Sequence, residues 1–138
     1  MQMNEHIIEG IRRAYDAFSR GDIQGAVEAV DLAPDILWSE PESFYAGGTY
    51  RGPKGVAEYL TLSYNASEKV QSQPEEILKV GDKIVVLVHF QAWPKGGGQP
   101  REGRIADVYT VRDDKIVQMQ AYSDPEEARK AVGLLPHH

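Results

Sequence analysis

Apolar residues recur along this chain in two periods, and the switch between them divides it into a helical front and an extended remainder. Ile7, Ile8, Ile11, Ala14, Tyr15 and Phe18 fall three or four positions apart, the spacing of one helical stripe, with Asn4 placed to cap it and Gly21 to end it. Asp22 is placed to cap a second, shorter helix whose Ile23, Ala26, Val27 and Val30 repeat the stripe until the Ala33-Pro34 step disfavours continuation. Residues 36 to 40 read as a strand. The loop SFYAGG, a short extended TYRG and Pro53 follow, the proline opening a helix expected to run to about Lys69.

Beyond that helix, extended segments are expected over 70 to 80, 83 to 93, 102 to 112 and 115 to 123, separated by Gly81-Asp82, PKGGGQP and Asp113-Asp114. Short connections make consecutive long strands antiparallel, and helices gathered at the front imply an α+β fold. No repeat or linker interrupts residues 1–138, so one domain is expected. A strongly bent sheet covered by three helices can enclose a pocket.

Alternation assigns the strand faces. Ile84, Val86, Val88, Phe90 and Ala92 form an all-apolar set that should face the helices, while Val85, Leu87, His89, Gln91 and Trp93 point away. The second set is too apolar for open water, so a homodimer through the outer sheet face is expected, with His89 in that interface.

In the next strand Ile105, Asp107, Tyr109 and Val111 share one face and Arg104, Ala106, Val108 and Thr110 the other, and pattern alone does not say which is inward. If the first is, Asp107 is buried among apolar neighbours, tends to hold its proton, and can donate a hydrogen bond at neutral pH. If not, it faces solvent or pairs with Arg104 or Arg112. Glu40 shares a face with Ile36 and Trp38 and is followed by Pro41; it reads either as a second pocket acid or as a solvated loop acid beside Glu42. Trp38, Tyr45, Tyr50, Tyr59 and Tyr64 crowd aromatic rings into 38 to 64, where core packing accounts for each.

Composition narrows the chemistry. The absence of cysteine removes disulfides, thiolate metal sites and cysteine nucleophiles. A formal net charge of −6 opposes a phosphate-tracking surface, so nucleic acid is not an expected partner. No window approaches the ~20 apolar residues that span a bilayer, and the first ten residues lack the basic-then-apolar order of a signal peptide, which makes the cytoplasm the expected location. Gly96 to Gly98 lack the Lys-Ser/Thr and helix of a phosphate loop, no His/carboxylate set has metal-ligand spacing, and no serine sits in a G-x-S-x-G elbow. No metal or cofactor is therefore expected, and His137 and His138 carry no functional weight.

The succession AYDAFSRGDIQGAVEAV, APDILWSEP, GTYRGPKGVAEYL and DVYTVRDDKIVQMQAYSD resembles the nuclear-transport-factor-2-like superfamily, specifically its SnoaL-like and ketosteroid-isomerase-like branch. The resemblance implies a cone-shaped, curved, mostly antiparallel sheet wrapped around N-terminal helices with an internal pocket, the cystatin-like architecture. It also implies a general base at Glu40, immediately before Pro41, and a protonated aspartate at Asp107. Tyr59, Phe90, Tyr109 and Met119 fall on pocket-lining positions, and Trp38, Tyr15 and Tyr50 complete the residues expected to touch a ligand. The isomerase's helix tyrosine falls on Ala14, with Tyr15 one residue on and about 100° around the helix axis. Limonene-epoxide-hydrolase-like relatives offer a weaker match: Asp124 resembles their final aspartate, but Arg104 and Asp107 are three apart, so their Arg-x-Asp element is absent.

The expected function is an enzyme in which Glu40 removes a proton beside a carbonyl of an apolar substrate while neutral Asp107 donates to the developing oxyanion, giving an isomer or a cyclised ring. The alternatives are a non-catalytic module holding a small molecule or partner segment in the same pocket, and an epoxide-hydrolase-like activity.

Overall fold

The computed structural model describes residues 3–134; the His137 and His138 pair lies outside them. Helix α1 (Met3–Ser19) buries Ile7, Ile11, Tyr15 and Phe18, the stripe read from its spacing. Asn4, expected as its cap, lies inside the first turn instead. Helix α2 (Ile23–Glu28) is capped as expected, Asp22 Oδ1 accepting from the Gly25 amide at 2.9 Å. The two helices touch closely at Gly10, where a Cβ would sit 2.4 Å from the Ala29 carbonyl oxygen.

Strand β1 (Leu32–Glu40) starts four residues earlier than the expected 36, running through Pro34. Pro34 can neither continue a helix nor donate to a ladder, and pairing with the neighbouring strand shifts register between Leu32 and Leu37, where the proline is accommodated. After β2 (Gly48–Arg51), helix α3 (Gly52–Asn65) ends four residues short of Lys69. Lys69 and Val70 are instead drawn into sheet pairing with Trp93 and Ala92.

Strands β3 (Lys69–Val80), β4 (Lys83–Trp93), β5 (Arg101–Arg112) and β6 (Lys115–Tyr122) match the expected segments to within one residue. They form a curved six-stranded sheet in the order β2-β1-β6-β5-β4-β3, antiparallel except for the β1–β6 pair. Pro74 is tolerated because β3 is an edge strand, and its pairing with β4 shifts just beyond it. The inner face carries Ile84, Val86 and Val88 against α1 and α3, with Ile11, Ile36, Val56, Ile116 and Met119 fully enclosed.

One element was not anticipated. Helix α4 (Pro125–Ala131) has a full start signature, Asp124 capping the Glu126 amide at 3.0 Å, Pro125 in the first turn, then Glu126 and Glu127 ahead of Arg129 and Lys130. It lies on the outer sheet face, where Ala128 packs with Val85, Ala106 and Val108, flanked by Leu78, Leu87, Tyr122 and Val132. Much of the apolar patch that suggested a second chain is thus covered by this chain itself. The rest of that face is polar: His89 pairs with Glu102 at 2.7 Å, Arg104 with Glu75 at 2.8 Å, and Lys69 lies over the Trp93 ring. Among the described residues, no helix is long and apolar enough to cross a membrane.

Candidate functional site

Sheet pairing decides the open question of the β5 faces. Asp107 is opposite Val86 on one side and Ala121 on the other, and Arg101, Gly103, Ile105, Asp107 and Tyr109 alternate onto the face toward the helices. On β1, Trp38 and Glu40 point the same way, and Pro41 ends the strand directly after the acid. α1 contributes Tyr15 and α3 contributes Tyr59. Together these elements enclose a cavity of about 540 Å³ whose wall is predominantly apolar. Glu40 and Asp107 both line it, and only 7% and 8% of their respective surfaces remain exposed. The solvated readings of these two acids are therefore excluded by position.

Each acid has aromatic donors. The Tyr15 hydroxyl donates to Asp107 Oδ2 in a very short contact, and the Tyr15 and Tyr109 hydroxyls lie 2.9 Å apart. The Trp38 indole Nε1 donates to Glu40 Oε2 at 2.7 Å. Trp38 meets Tyr109 edge-on, with centroids 6.1 Å apart, and lies 6.2 Å from Tyr59, so the rings form a continuous wall between the acids.

The electrostatics follow from that wall. Burial raises Asp107 from 3.8 to about 6, with the Tyr15 hydrogen bond pulling the other way. Burial raises Glu40 from 4.5 to about 8; the charge of Asp107 adds to this, while the Trp38 and Tyr59 donors oppose it. Two buried acids that feel one another titrate as a pair, and near neutrality the pair retains a proton. Burial also holds the Tyr15, Tyr59 and Tyr109 hydroxyls above their ordinary value, so all three stay protonated donors.

Of the residues singled out in the sequence, Glu40, Asp107, Trp38, Tyr15, Tyr59, Phe90 and Tyr109 line the cavity. Tyr15 does so despite its angular offset, because α1 presents both Ala14 and Tyr15 to the interior. Tyr50 and Met119 are not in the wall. Tyr50 stands behind Tyr59, with ring centroids 5.4 Å apart, and its hydroxyl donates to the Ala46 carbonyl. Met119 is paired between Trp38 and Tyr109 and is fully enclosed in the core. Asp124, the acid that resembled an epoxide-hydrolase residue, caps α4 and is no part of the cavity. No cluster of three or more metal-ligating side chains occurs among the described residues.

Sequence reading missed Phe44, Ser63 and Arg101, all in the wall. Arg101 carried a usable signal: it continues the alternation of Asp107 and Tyr109, but the strand was expected to begin one residue later.

The profile of the SnoaL-like domain matches residues 11–119. The chain belongs to the SnoaL-like domain family. No curated protein matches this SnoaL-like chain, but solved structures do. One is an NTF2-like protein of unknown function from Burkholderia pseudomallei K96243, 24% identical, with 96% of this chain and 99% of that chain covered and a TM-score of 0.74. A second is TerC, co-crystallised with polyporic acid, 26% identical over 91% of this chain and 95% of that one, with a TM-score of 0.72. A third is a protein of ketosteroid isomerase-like fold from Catenulispora acidiphila DSM 44928 in complex with trimethylamine, 17% identical, covering 92% and 94%, with a TM-score of 0.71. The SnoaL-like chain therefore has the NTF2-like, ketosteroid-isomerase-like fold that its motifs resembled.

Proposed function

We propose that this SnoaL-like protein is a small-molecule enzyme that moves a proton on an apolar, carbonyl-containing substrate, as an isomerase or a polyketide-cyclase-like enzyme. The observation that carries the reading is the placement of Glu40 and Asp107 in one apolar cavity, with Asp107 tied to the Tyr15–Tyr109 hydroxyls. The reaction needs the one-proton form in which Glu40 is ionised and Asp107 neutral, the reverse of the resting order. Burial and the Asp107 charge raise Glu40 to about 8, whereas Asp107, held down by the Tyr15 hydrogen bond, rises only to about 6; ligand entry has to shift the proton from Glu40 to Asp107. Glu40 takes a proton from the carbon beside the carbonyl, and the freed electron pair moves onto the carbonyl oxygen. Neutral Asp107 and the Tyr109 hydroxyl supply the donors that hold the resulting oxyanion in a dry site, while Tyr15, whose single proton is donated to Asp107 Oδ2, holds Asp107 in place. Return of the proton to a different carbon gives an isomer; attack of the enolate carbon on a second carbonyl within the same molecule breaks that carbonyl's π bond and gives a ring whose new alkoxide takes the proton held by Glu40.

The test offers two probes: a β,γ-unsaturated ketosteroid, whose isomerisation creates a conjugated chromophore, and a linear polyketide ester scored for ring closure. On whichever the wild type turns over, Glu40→Gln and Asp107→Leu each lower kcat by 100-fold or more while the fold is retained. Unchanged rates in either variant would remove the assignment.

A second reading is a binding module in which the acids only orient a ligand. It is favoured by the neighbours crystallised with polyporic acid and with trimethylamine. Under it, polyporic acid quenches Trp38 fluorescence and neither probe is turned over. The proposed assembly is a homodimer using the polar part of the outer face around His89 and Trp93, and the proposed location is the cytoplasm. Sedimentation as a monomer at micromolar concentration argues against the first, and cell fractionation checks the second.

A further inference from the structure

Across the inner face of the sheet, pairing stacks residues in rows. Val70, Ala92 and Arg101 form one row, Ser72, Phe90 and Gly103 the next, followed by Val88 with Ile105 and then Val86 with Asp107. Arg101 and Asp107 thus stand on the same face of β5, six residues apart, which is about 20 Å along an extended strand. Arg101 is exposed, so its row marks an end of the cavity wall that reaches solvent, whereas Asp107 lies deep.

Among the described residues, Arg101 is the sole basic side chain in the cavity wall, and no ion pair or hydrogen bond there engages its guanidinium. The arginine and lysine ion pairs that do form bind Arg20, Arg104 and Lys115 to acids elsewhere. A free guanidinium offers a planar fork of donors that matches a carboxylate. Between the two ends the wall is mainly apolar, with Val88, Phe90 and Ile105 beside Ser72. At Gly103 the strand has no side chain, and the Phe90 ring lies across it, 2.9 Å from where a Cβ would stand.

Two acids at one end and a free guanidinium at the other make the cavity electrically directional. An anionic group near Glu40 and Asp107 would be repelled by the charge the pair carries, and the net charge of −6 repels anions generally. The same group at Arg101 gains a charge-assisted pair.

We propose that the occupant of this cavity is an elongated apolar carboxylic acid, bound with its carboxylate on Arg101 and its apolar, reacting end among Trp38, Tyr59 and Tyr109. This rests on the small-molecule reading above and specifies its substrate class. Arg101 is a specificity residue that selects the orientation of the ligand; it takes no part in proton transfer.

The test compares 6-phenylhexanoate with 6-phenylhexan-1-ol, which share an apolar body and differ in the charged group, by titration calorimetry at pH 8 and low salt. Wild type is expected to bind the acid about tenfold or more tightly than the alcohol, and Arg101→Gln to abolish that preference while leaving alcohol binding unchanged. Arg101→Lys should restore part of it, and added salt should erode it in the wild type alone. Equal affinity of wild type for acid and alcohol overturns the proposal, as does an equal loss for both in Arg101→Gln. If the alcohol binds without any preference for the acid, this proposal fails and the small-molecule reading of the cavity stands. If neither ligand binds at millimolar concentration, the cavity reading fails with it. Because Arg101 is exposed and unpartnered, the variants are expected to fold, and circular dichroism checks this.

Discussion

In the cavity wall the Tyr15 hydroxyl donates to the Asp107 carboxylate, joining α1 to β5 over 92 residues of sequence. This contact explains how an acid can be buried in apolar surroundings without being orphaned. It also ties the first helix to the middle of the sheet, next to the Tyr109 hydroxyl.

Replacing Tyr15 by Phe removes the one hydrogen bond that lowers Asp107 against the effect of burial. The Asp107 midpoint should rise further, and the protein should lose about 1–3 kcal/mol of stability at neutral pH, where an acid left without its donor carries the full desolvation cost. Carbonyl NMR titration and urea unfolding measure the two effects. An Asp107 midpoint that does not move in Tyr15→Phe would mean that the hydroxyl does not engage it in solution.

The two acids also set a pH dependence of stability with a definite sign. Both pKa values are raised on folding, Asp107 from 3.8 to about 6 and Glu40 from 4.5 to about 8, chiefly by burial. Between about pH 4 and 8 the folded chain then holds more protons than the unfolded one, so stability falls as pH rises through that window. The contribution is complete below pH 4 and gone above the folded midpoints. Subtracting the profile of the double variant Glu40→Gln/Asp107→Asn from that of wild type isolates it, and the difference between pH 4 and pH 9 should reach ~2 kcal/mol or more. A flat difference profile would show that the acids titrate as they do in the unfolded chain.

Much of this arrangement was legible beforehand, for identifiable reasons. The stripe of Ile7, Ile11, Tyr15 and Phe18 and the alternation in β4 are periodic signals that burial enforces, and both faces were read correctly. The face of Asp107 was ambiguous because β5 is apolar on both sides, its outer side being covered by α4, an element only seven residues long with few apolar positions. Met119 and Tyr50 were misplaced because alternation tells inside from outside but does not distinguish the cavity wall from the packing behind it.

Gly103 makes a local prediction about the shape of the cavity. A Cβ at this position would meet Phe90 Cε1 at 2.9 Å and Cζ at 3.3 Å, closer than carbon atoms settle. Gly103→Ala should therefore cost about 1–3 kcal/mol by overpacking, or swing the ring into the cavity and weaken ligands there. Phe90→Leu in the same chain should relieve most of that cost. A double-mutant cycle on unfolding free energy measures the coupling, and additive effects would place the ring elsewhere.

The last prediction concerns α4 and what it hides. Ala128 has no exposed surface and lies on Val85, Ala106 and Val108, so a carboxylate at this position would have to be buried without a partner or would lift the helix off the sheet. Ala128→Asp should cost about 3 kcal/mol or more, while Ala131→Gln, at an exposed position of the same helix, should cost almost nothing. If the helix lifts, Leu78, Val85, Leu87 and Val108 are opened together, and the variant should self-associate at concentrations where the wild type does not grow larger. Thermal melts paired with sedimentation separate these outcomes. A variant that melts like wild type and sediments like it would mean that α4 contributes nothing to covering the outer face, and the apolar patch there would again call for a second chain.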